Sequence, residues 1–444
     1  MPAMLMPPEM STLQALLHQS EWSSWEKIRK KQIQLINQLI QHAHNTVPFY
    51  KKHYATVDLN GPINNTLISK LPLLSRAHVQ FAGDELISQS IPKHHGACYP
   101  IETSGSTGQT VRVLGTDFTR LFYDALMLRE HAWYQRDFHH LLMAIRWVDQ
   151  GIALAPTGIF QSTWGPPIDH YKTTGSSVLL NISSKTDDQI AALLHYKPRY
   201  LLTYPSQVAI LVRYCLDHAL QMPNLLEIRT TGESLTDTHM ALVKQAWPQV
   251  RMSDIYSCCE IGGLAQQCPE HHQYHVNAEH VYLEILDDHN NPCAIGQPGK
   301  VFITSLLNYA TPLIRYELGD YATWGEPCPC GRGLPVIQRI LGRKRNRLIL
   351  PNGESRFPYL GDRSDLKEIA DIAIRQFQFI QHTVHDIEIK VVTLTSIAPD
   401  QESQFKKLYQ RILGHPFNIA ITYCDDIPSG PNGKFEEFIS HVPG

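Results

Sequence analysis

The sequence predicts an α/β protein: a large N-terminal domain with parallel-containing sheets and a β-rich subdomain, then a small α+β C-terminal domain. Three observations predict it. Between residues 187 and 246, short apolar runs alternate with helical patterns, the signature of parallel strands joined by crossover helices. Residues 276–324 then change character, with short strands split by Asn290-Asn-Pro and Gly296-Gln-Pro-Gly as in a meander. Beyond the basic segment Gly342-Arg-Lys-Arg-Asn-Arg, strand and helix patterns alternate again, which places a boundary between domains 1–342 and 345–444.

In chain order, residues 12–55 read as helix, because Ile28, Ile33, Leu35, Ile36, Leu39 and Ile40 fall near helical spacing. Pro48 is expected to end that run. Ser75 is a plausible N-cap for a short helix. Val111-Arg-Val-Leu-Gly alternates like a strand, residues 117–136 look helical, and 141–182 mix short apolar runs with Gly and Pro. Helices are then expected at Asp187–Leu194, Gln207–Leu220 and Asp237–Ala246, with strands at Tyr200–Tyr204 and Leu226–Gly232 between them. The meander strands are His280–Leu286, Val301–Leu306 and Leu313–Tyr316; Pro335–Leu341 and Arg347–Leu350 flank the basic segment. Asp386–Leu394 and Asn418–Tyr423 read as strands around a helix at Gln404–Leu413. In such a fold the ligand crevice lies beyond the strand C-termini, where Thr103, Tyr204, Gly232 and Tyr256 sit.

Composition narrows the function classes. At 444 residues, 43% apolar and 18% charged, the chain can bury a large core and reads as a soluble protein. A net charge of −3 gives no reason to propose nucleic acid or an anionic membrane as partner. No apolar run is long enough to span a bilayer, and the start lacks the basic and apolar regions of a signal peptide, so a cytoplasmic location is expected. Cys258, Cys259, Cys268, Cys293, Cys328 and Cys330 crowd one region, which in a reducing compartment suggests metal more than disulfides.

The loop Thr103-Ser104-Gly105-Ser106-Thr107-Gly108-Gln109-Thr110 is the chief candidate for chemistry. Its glycines let the backbone approach an anion and its hydroxyls add donors, which suits polyphosphate. No Lys-Ser/Thr follows the last glycine, so it is not a Walker loop, and such loops are also common as plain turns.

Four further stretches accompany that loop: Thr231-Gly-Glu-Ser, Tyr256-Ser-Cys-Cys-Glu260, Arg315-Tyr-Glu-Leu-Gly-Asp320-Tyr, and Leu341-Gly-Arg343 with Gly433-Lys434 near the end. Their order and spacing resemble the adenylate-forming superfamily of acyl-CoA ligases, luciferases and peptide-synthetase adenylation domains. The resemblance is strongest to the phenylacetate-CoA ligase branch, with its CapK-like and coenzyme F390 synthetase-like members. Ala43-His-Asn-Thr-Val-Pro-Phe-Tyr and Cys328-Pro-Cys-Gly add to it. The resemblance implies an adenylate-forming large domain and a small mobile domain on a hinge, with Arg345 at the hinge position.

It also implies roles. Thr103 and Ser104, Gly105, Ser106, Thr107 and Gly108 would wrap the ATP phosphates. Gly232, Glu233 and Tyr256, with neighbours Ser234 and Ser257, would line the adenine. Asp320 would take the ribose hydroxyls with help from Arg343. Glu260 would hold Mg²⁺, and Lys434 would reach the reacting carboxylate and α-phosphate, where negative charge crowds on one centre. Two positions depart from the pattern: Cys259 stands where Thr usually precedes the Glu, and Pro428-Ser-Gly-Pro-Asn-Gly-Lys434 lacks the usual Arg.

The implied activity is ATP-dependent, AMP-forming ligation of a carboxylic acid to a thiol, CoA foremost. The alternatives are an adenylation enzyme loading a carrier protein or an amine, and a non-catalytic nucleotide-binding relative. For the acyl pocket, Tyr204, Pro205, Thr231 and Ser257 are candidates; Trp133, Tyr134, Trp147 and Trp164 read better as core.

A structural Zn²⁺ site is expected from Cys268-Pro-Glu-His271 together with Cys328-Pro-Cys330-Gly, since Cys₃His is a common closed set. His275 competes for the fourth place; turn geometry favours His271.

Overall fold

A computed structural model describes residues 7–59, 64–103, 110–360, 374–393, 397–430 and 433–443. The chain divides into two compact units, each assembled from separate segments.

The first unit comprises Met1–Leu142, Phe160–Ser177 and Ser253–Ile340. Helices Pro8–Glu21 and Trp25–Thr46 open it. The second begins at Ser24, whose side chain accepts the Lys27 N–H, and buries Ile28, Gln32, Ile36, Leu39, Ile40 and Ala43 along one stripe. Each buried Ile or Leu contributes about 1.5–3 kcal/mol relative to an exposed one. Pro48 does not simply stop this region: it takes the first position of a further short helix, Pro48–His53, where its missing N–H costs nothing. Ser75 caps helix Arg76–Ala82 as expected. Strands Cys98–Glu102 and Arg112–Thr116 form an antiparallel pair, and Thr116 caps helix Asp117–Trp133.

The β-rich part of this unit runs in the order Val281–Leu286, Pro298–Ser305, Tyr316–Trp324, Val336–Arg343, Tyr274–Val276, Gly262–Gln267, Arg251–Cys258. The expected meander is present, but Leu313–Tyr316 is not a strand; the strand starts at Tyr316. Arg315 is the reason, with φ +51 in the left-handed region that ends an extended run. Its buried guanidinium makes a two-bonded pair with Glu284, both contacts at 3.0 Å, and donates to the carbonyls of Ser69 and Leu71 at 2.8 and 2.7 Å.

The second unit comprises Met143–Ile159, Val178–Met252 and Leu341–Gly444. Strands Tyr200–Thr203 and Glu227–Thr231 pair in parallel, as the alternation predicts. Helices Thr186–Tyr196, Pro205–Asp217 and Asp237–Ala246 make the crossovers. Toward the C-terminus, four strands lie in the order Asn418–Tyr423, Asp386–Thr393, Ile374–Gln381, Phe438–Ser440, beside helix Pro399–Ile412. Phe379, Ile389, Val391, Phe405, Tyr409 and Phe417 form the core of this region.

Candidate active site

In the first unit, the acidic stretch leaves strand Arg251–Cys258 and turns, which places Glu260 in the interior at 5% exposure. Its Oε1 accepts the Tyr316 hydroxyl at 3.1 Å and Arg76 Nη1 at 3.4 Å. Among the described residues both bonds fall on that one oxygen, so Oε2 is left for a cation, and the group fits a Mg²⁺ ligand. Burial and the Glu260 charge raise the Tyr316 hydroxyl above its usual range and the Cys258 thiol well above its own. Both stay neutral, and Tyr316 serves as a donor.

Arg76 also reaches Thr103, whose Oγ1 receives Arg76 Nη2 at 3.1 Å and the Val111 N–H at 3.0 Å. The Thr103 N–H donates to the Val111 carbonyl at 2.9 Å, so the base of the candidate phosphate loop is closed by a pair of bonds. Ser104, Gly105, Ser106, Thr107 and Gly108 lie outside the described residues. In the same unit the Tyr256 hydroxyl donates to Asp320 Oδ2 at 2.9 Å, joining the expected adenine-side and ribose-side residues. Ser257 follows at a bulge in the strand pairing.

In the second unit, Gly232 ends strand Glu227–Thr231 with φ +83. A Cβ there would come within 3.2 Å of Lys434 Cε and 3.3 Å of a Tyr204 ring carbon, so the glycine leaves room for the lysine stem. Glu233, next along, accepts the Phe435 N–H at 2.6 Å, the Ser206 N–H at 2.9 Å and the Ser206 hydroxyl at 3.0 Å. Burial nevertheless pushes its carboxyl up to about 7, with the three donors pulling the other way. Ser234 is half-buried beside it. Arg345 pairs through Nε and Nη2 with Glu436 at 3.0 and 2.8 Å, and Arg343 is exposed, its N–H held by Asn346.

A separate cluster in the first unit gathers Cys268, His275, Cys328 and Cys330, whose ligand atoms all lie within 4.8 Å of one another. Cys268 Sγ and Cys328 Sγ are 3.8 Å apart, and Cys330 Sγ is 3.3 Å from His275 Nε2. A tetrahedron with Zn–S bonds of about 2.3 Å has edges of about 3.8 Å, so the donor set fits zinc in kind and spacing. Burial and the charges of Arg332 and Arg129 push His275 down to about 4, which keeps the imidazole neutral and able to ligate. His271 is corrected here: it lies exposed on the turn after Cys268, outside the cluster, whereas His275 is fully buried on strand Tyr274–Val276. The turn that was expected to aim His271 inward carries it to the surface instead.

A phenylacetate-coenzyme A ligase of Thermus thermophilus is 24% identical over 361 residues, covering 78% of this chain and 75% of that protein. A second, from Aromatoleum evansii, is 23% identical over 355 residues, 76% and 75% of the two chains. The CapK C-terminal domain family matches residues 363–441. The chain is similar in sequence to the phenylacetate-CoA ligases and, over residues 363–441, to the CapK C-terminal domain. Protein CapK of Staphylococcus aureus is 23% identical over 57% of this chain and 55% of its own length. The fold is that of a solved 2-hydroxyisobutyryl-CoA ligase in complex with an acyl-AMP: TM-score 0.72 at 15% identity, over 95% of this chain and 91% of that one.

The structure brings together Glu260 with Thr103 through Arg76, Tyr256 with Asp320, and Gly232 and Glu233 with the Lys434 segment. Sequence reasoning passed over Arg76, Tyr316 and Ser206 as site residues. Tyr316 sits inside a motif already singled out. Arg76 lies 184 residues from Glu260, and its only local cue is its place after an N-cap.

Proposed function

We propose that this chain is an ATP-dependent, AMP-forming acid–CoA ligase. A carboxylate oxygen attacks the α-phosphorus of ATP, the bond to the β-phosphate breaks and pyrophosphate leaves. The thiolate of CoA then attacks the acyl carbon, AMP leaves, and the thiol proton passes to solvent. The observation that carries this reading is the approach of Lys434 to the turn at Gly232, two segments some 200 residues apart in sequence.

The chain's own groups suit the first step. Lys434 is an exposed cation on a tight turn, available where charge builds on the α-phosphate. Tyr256 and Asp320 would hold the nucleoside, Arg343 assisting, with Thr103 at the base of the phosphate loop. Glu260 would hold Mg²⁺, which supplies charge neutralisation on the phosphates. The cysteine–histidine cluster would hold Zn²⁺; with four protein ligands its part is stability and not chemistry. Residues 345–444 are read as a small domain moving on a hinge at Arg345, and closure of this kind keeps water from a reactive adenylate. No described helix is long and apolar enough to cross a membrane, and a cytoplasmic location is our reading.

Pyrophosphate release across a panel of aryl and aliphatic acids, with and without CoA, tests the proposal. Release with an acyl-CoA product supports it. Release without thioester points to a carrier protein or an amine as acceptor. No release with any acid overturns it in favour of a non-catalytic nucleotide binder.

A further inference from the structure

The resemblance sets Glu233 beside the adenine, and in the structure its carboxyl is engaged by Ser206 and Phe435. An ionised carboxylate has about four acceptor positions. Three are filled by the Ser206 N–H, the Ser206 hydroxyl and the N–H of Phe435, the last at 2.6 Å. Phe435 is the residue after Lys434, and its side chain is buried at 9% exposure. The peptide on the other side is fixed as well. Gly433 adopts φ +69 and sits so close to Trp147 and Ile182 that a Cβ would lie 2.8 Å from Trp147 Cβ and 3.0 Å from Ile182 Cγ2. The Lys434 carbonyl accepts the Gly430 N–H at 2.8 Å, and the Gly433 N–H returns to the Gly430 carbonyl at 2.9 Å. The backbone around Lys434 is thus held at three points. Of these, the bond to Glu233 is the shortest and the one made to a side-chain carboxyl.

Resting on the ligase reading above, we propose that Glu233 is a positioning residue: its carboxylate latches the Lys434–Phe435 peptide and so sets the lysine for adenylation. Ser206, at the start of helix Pro205–Asp217, anchors the latch from the other side with two donors. Replacing the carboxylate leaves the lysine chemically intact but poorly placed.

The latched bond is itself a trypsin site, which allows a test independent of catalysis. Cleavage of native protein between Lys434 and Phe435, followed by mass spectrometry, reads how often the latch opens. Glu233→Ala should speed that cleavage about 10- to 100-fold, the range for leaving a buried peptide N–H without its acceptor. Glu233→Gln keeps one acceptor oxygen but turns an N–H₂ toward a donor, and should be intermediate. In pyrophosphate release, kcat should fall by a comparable factor while the KM for ATP stays within about twofold of wild type. Cleavage at the wild-type rate, or a raised KM for ATP with kcat unchanged, overturns the latch and returns Glu233 to the nucleotide. Should Glu233→Ala fail to fold, Glu233→Gln decides by the same two readouts. If wild type releases no pyrophosphate, the ligase reading fails while the cleavage result still reports on the latch.

Discussion

Tyr316 donates its hydroxyl to Glu260 at 3.1 Å, so the carboxylate read as the Mg²⁺ ligand is oriented by the same strand that carries Asp320. Glu260→Gln keeps the shape and removes the charge. Activity at low Mg²⁺ should fall about 100-fold, and raising Mg²⁺ should restore part of it. Tyr316→Phe should raise the Mg²⁺ requirement less than Glu260→Gln does. Wild-type kinetics for Glu260→Gln across a Mg²⁺ titration would place the metal elsewhere.

Lys434→Ala should lower kcat for adenylation about 100- to 1000-fold with little change in ATP binding, because the charge is needed most where negative charge builds. Pre-steady-state acyl-adenylate formation together with nucleotide binding by calorimetry measures both. The turn around it is held by backbone bonds, so the melting temperature should hardly move.

Elemental analysis of protein purified without chelator should find about one zinc per chain. Cys328→Ser with Cys330→Ser, or His275→Ala, should abolish it and lower the melting temperature by several degrees. His271→Ala should keep the metal, since that side chain is exposed and outside the cluster. Metal retention in His275→Ala would contradict the assignment.

Acid should destabilise the fold through buried neutral imidazoles. His95 is 1% exposed, with Nδ1 3.3 Å from Thr116 Oγ1 and its ring against Phe118 and Tyr309. Burial, then His94 and His42, push it down to about 4 from its ordinary 6.5. A folded value below the unfolded one means that folding excludes a proton. The contribution is present above 6.5 and is lost as pH falls from there toward 4. At about pH 5 the loss should be about 2 kcal/mol for this residue. Melting temperature against pH, compared between wild type and His95→Gln, checks it: the variant should show the shallower decline.

How much of this was legible in the sequence depended on whether a physical signal was local. The crossover helices and strands from 186 to 246 were readable because buried parallel strands are continuous apolar runs. Gly262–Gln267 was not, since Gly-Gly-Leu-Ala-Gln-Gln has no apolar alternation. It is a buried strand whose side-chain N–H₂ groups find partners: Gln266 donates to the Leu126 carbonyl at 2.7 Å and Gln267 to that of His272 at 3.0 Å. Leu313 and Ile314 looked like a strand because they are buried, but φ at Arg315 breaks the extension. The same limit holds at the site. Motif spacing could nominate Glu260, Asp320 and Lys434, whereas the bond between Glu233 and Phe435 joins residues 202 apart and has no local signature. At the cysteine–histidine cluster, spacing found the three cysteines and named His275 but ranked it behind His271, because strand Tyr274–Val276 carries His275 inward after the turn at His272 reverses the chain.

Arg315 opens the motif that ends at Asp320, but its guanidinium is engaged by Glu284 and the carbonyls of Ser69 and Leu71. Removing it would strand Glu284 as an unpaired charge in the interior, a cost of about 3–5 kcal/mol. A mutational survey scored on product alone would therefore rank Arg315 beside Lys434 and assign both to chemistry. Scored on soluble yield, the two would part company: Lys434 variants accumulate as inert, well-folded protein, and Arg315 variants fail to accumulate at all.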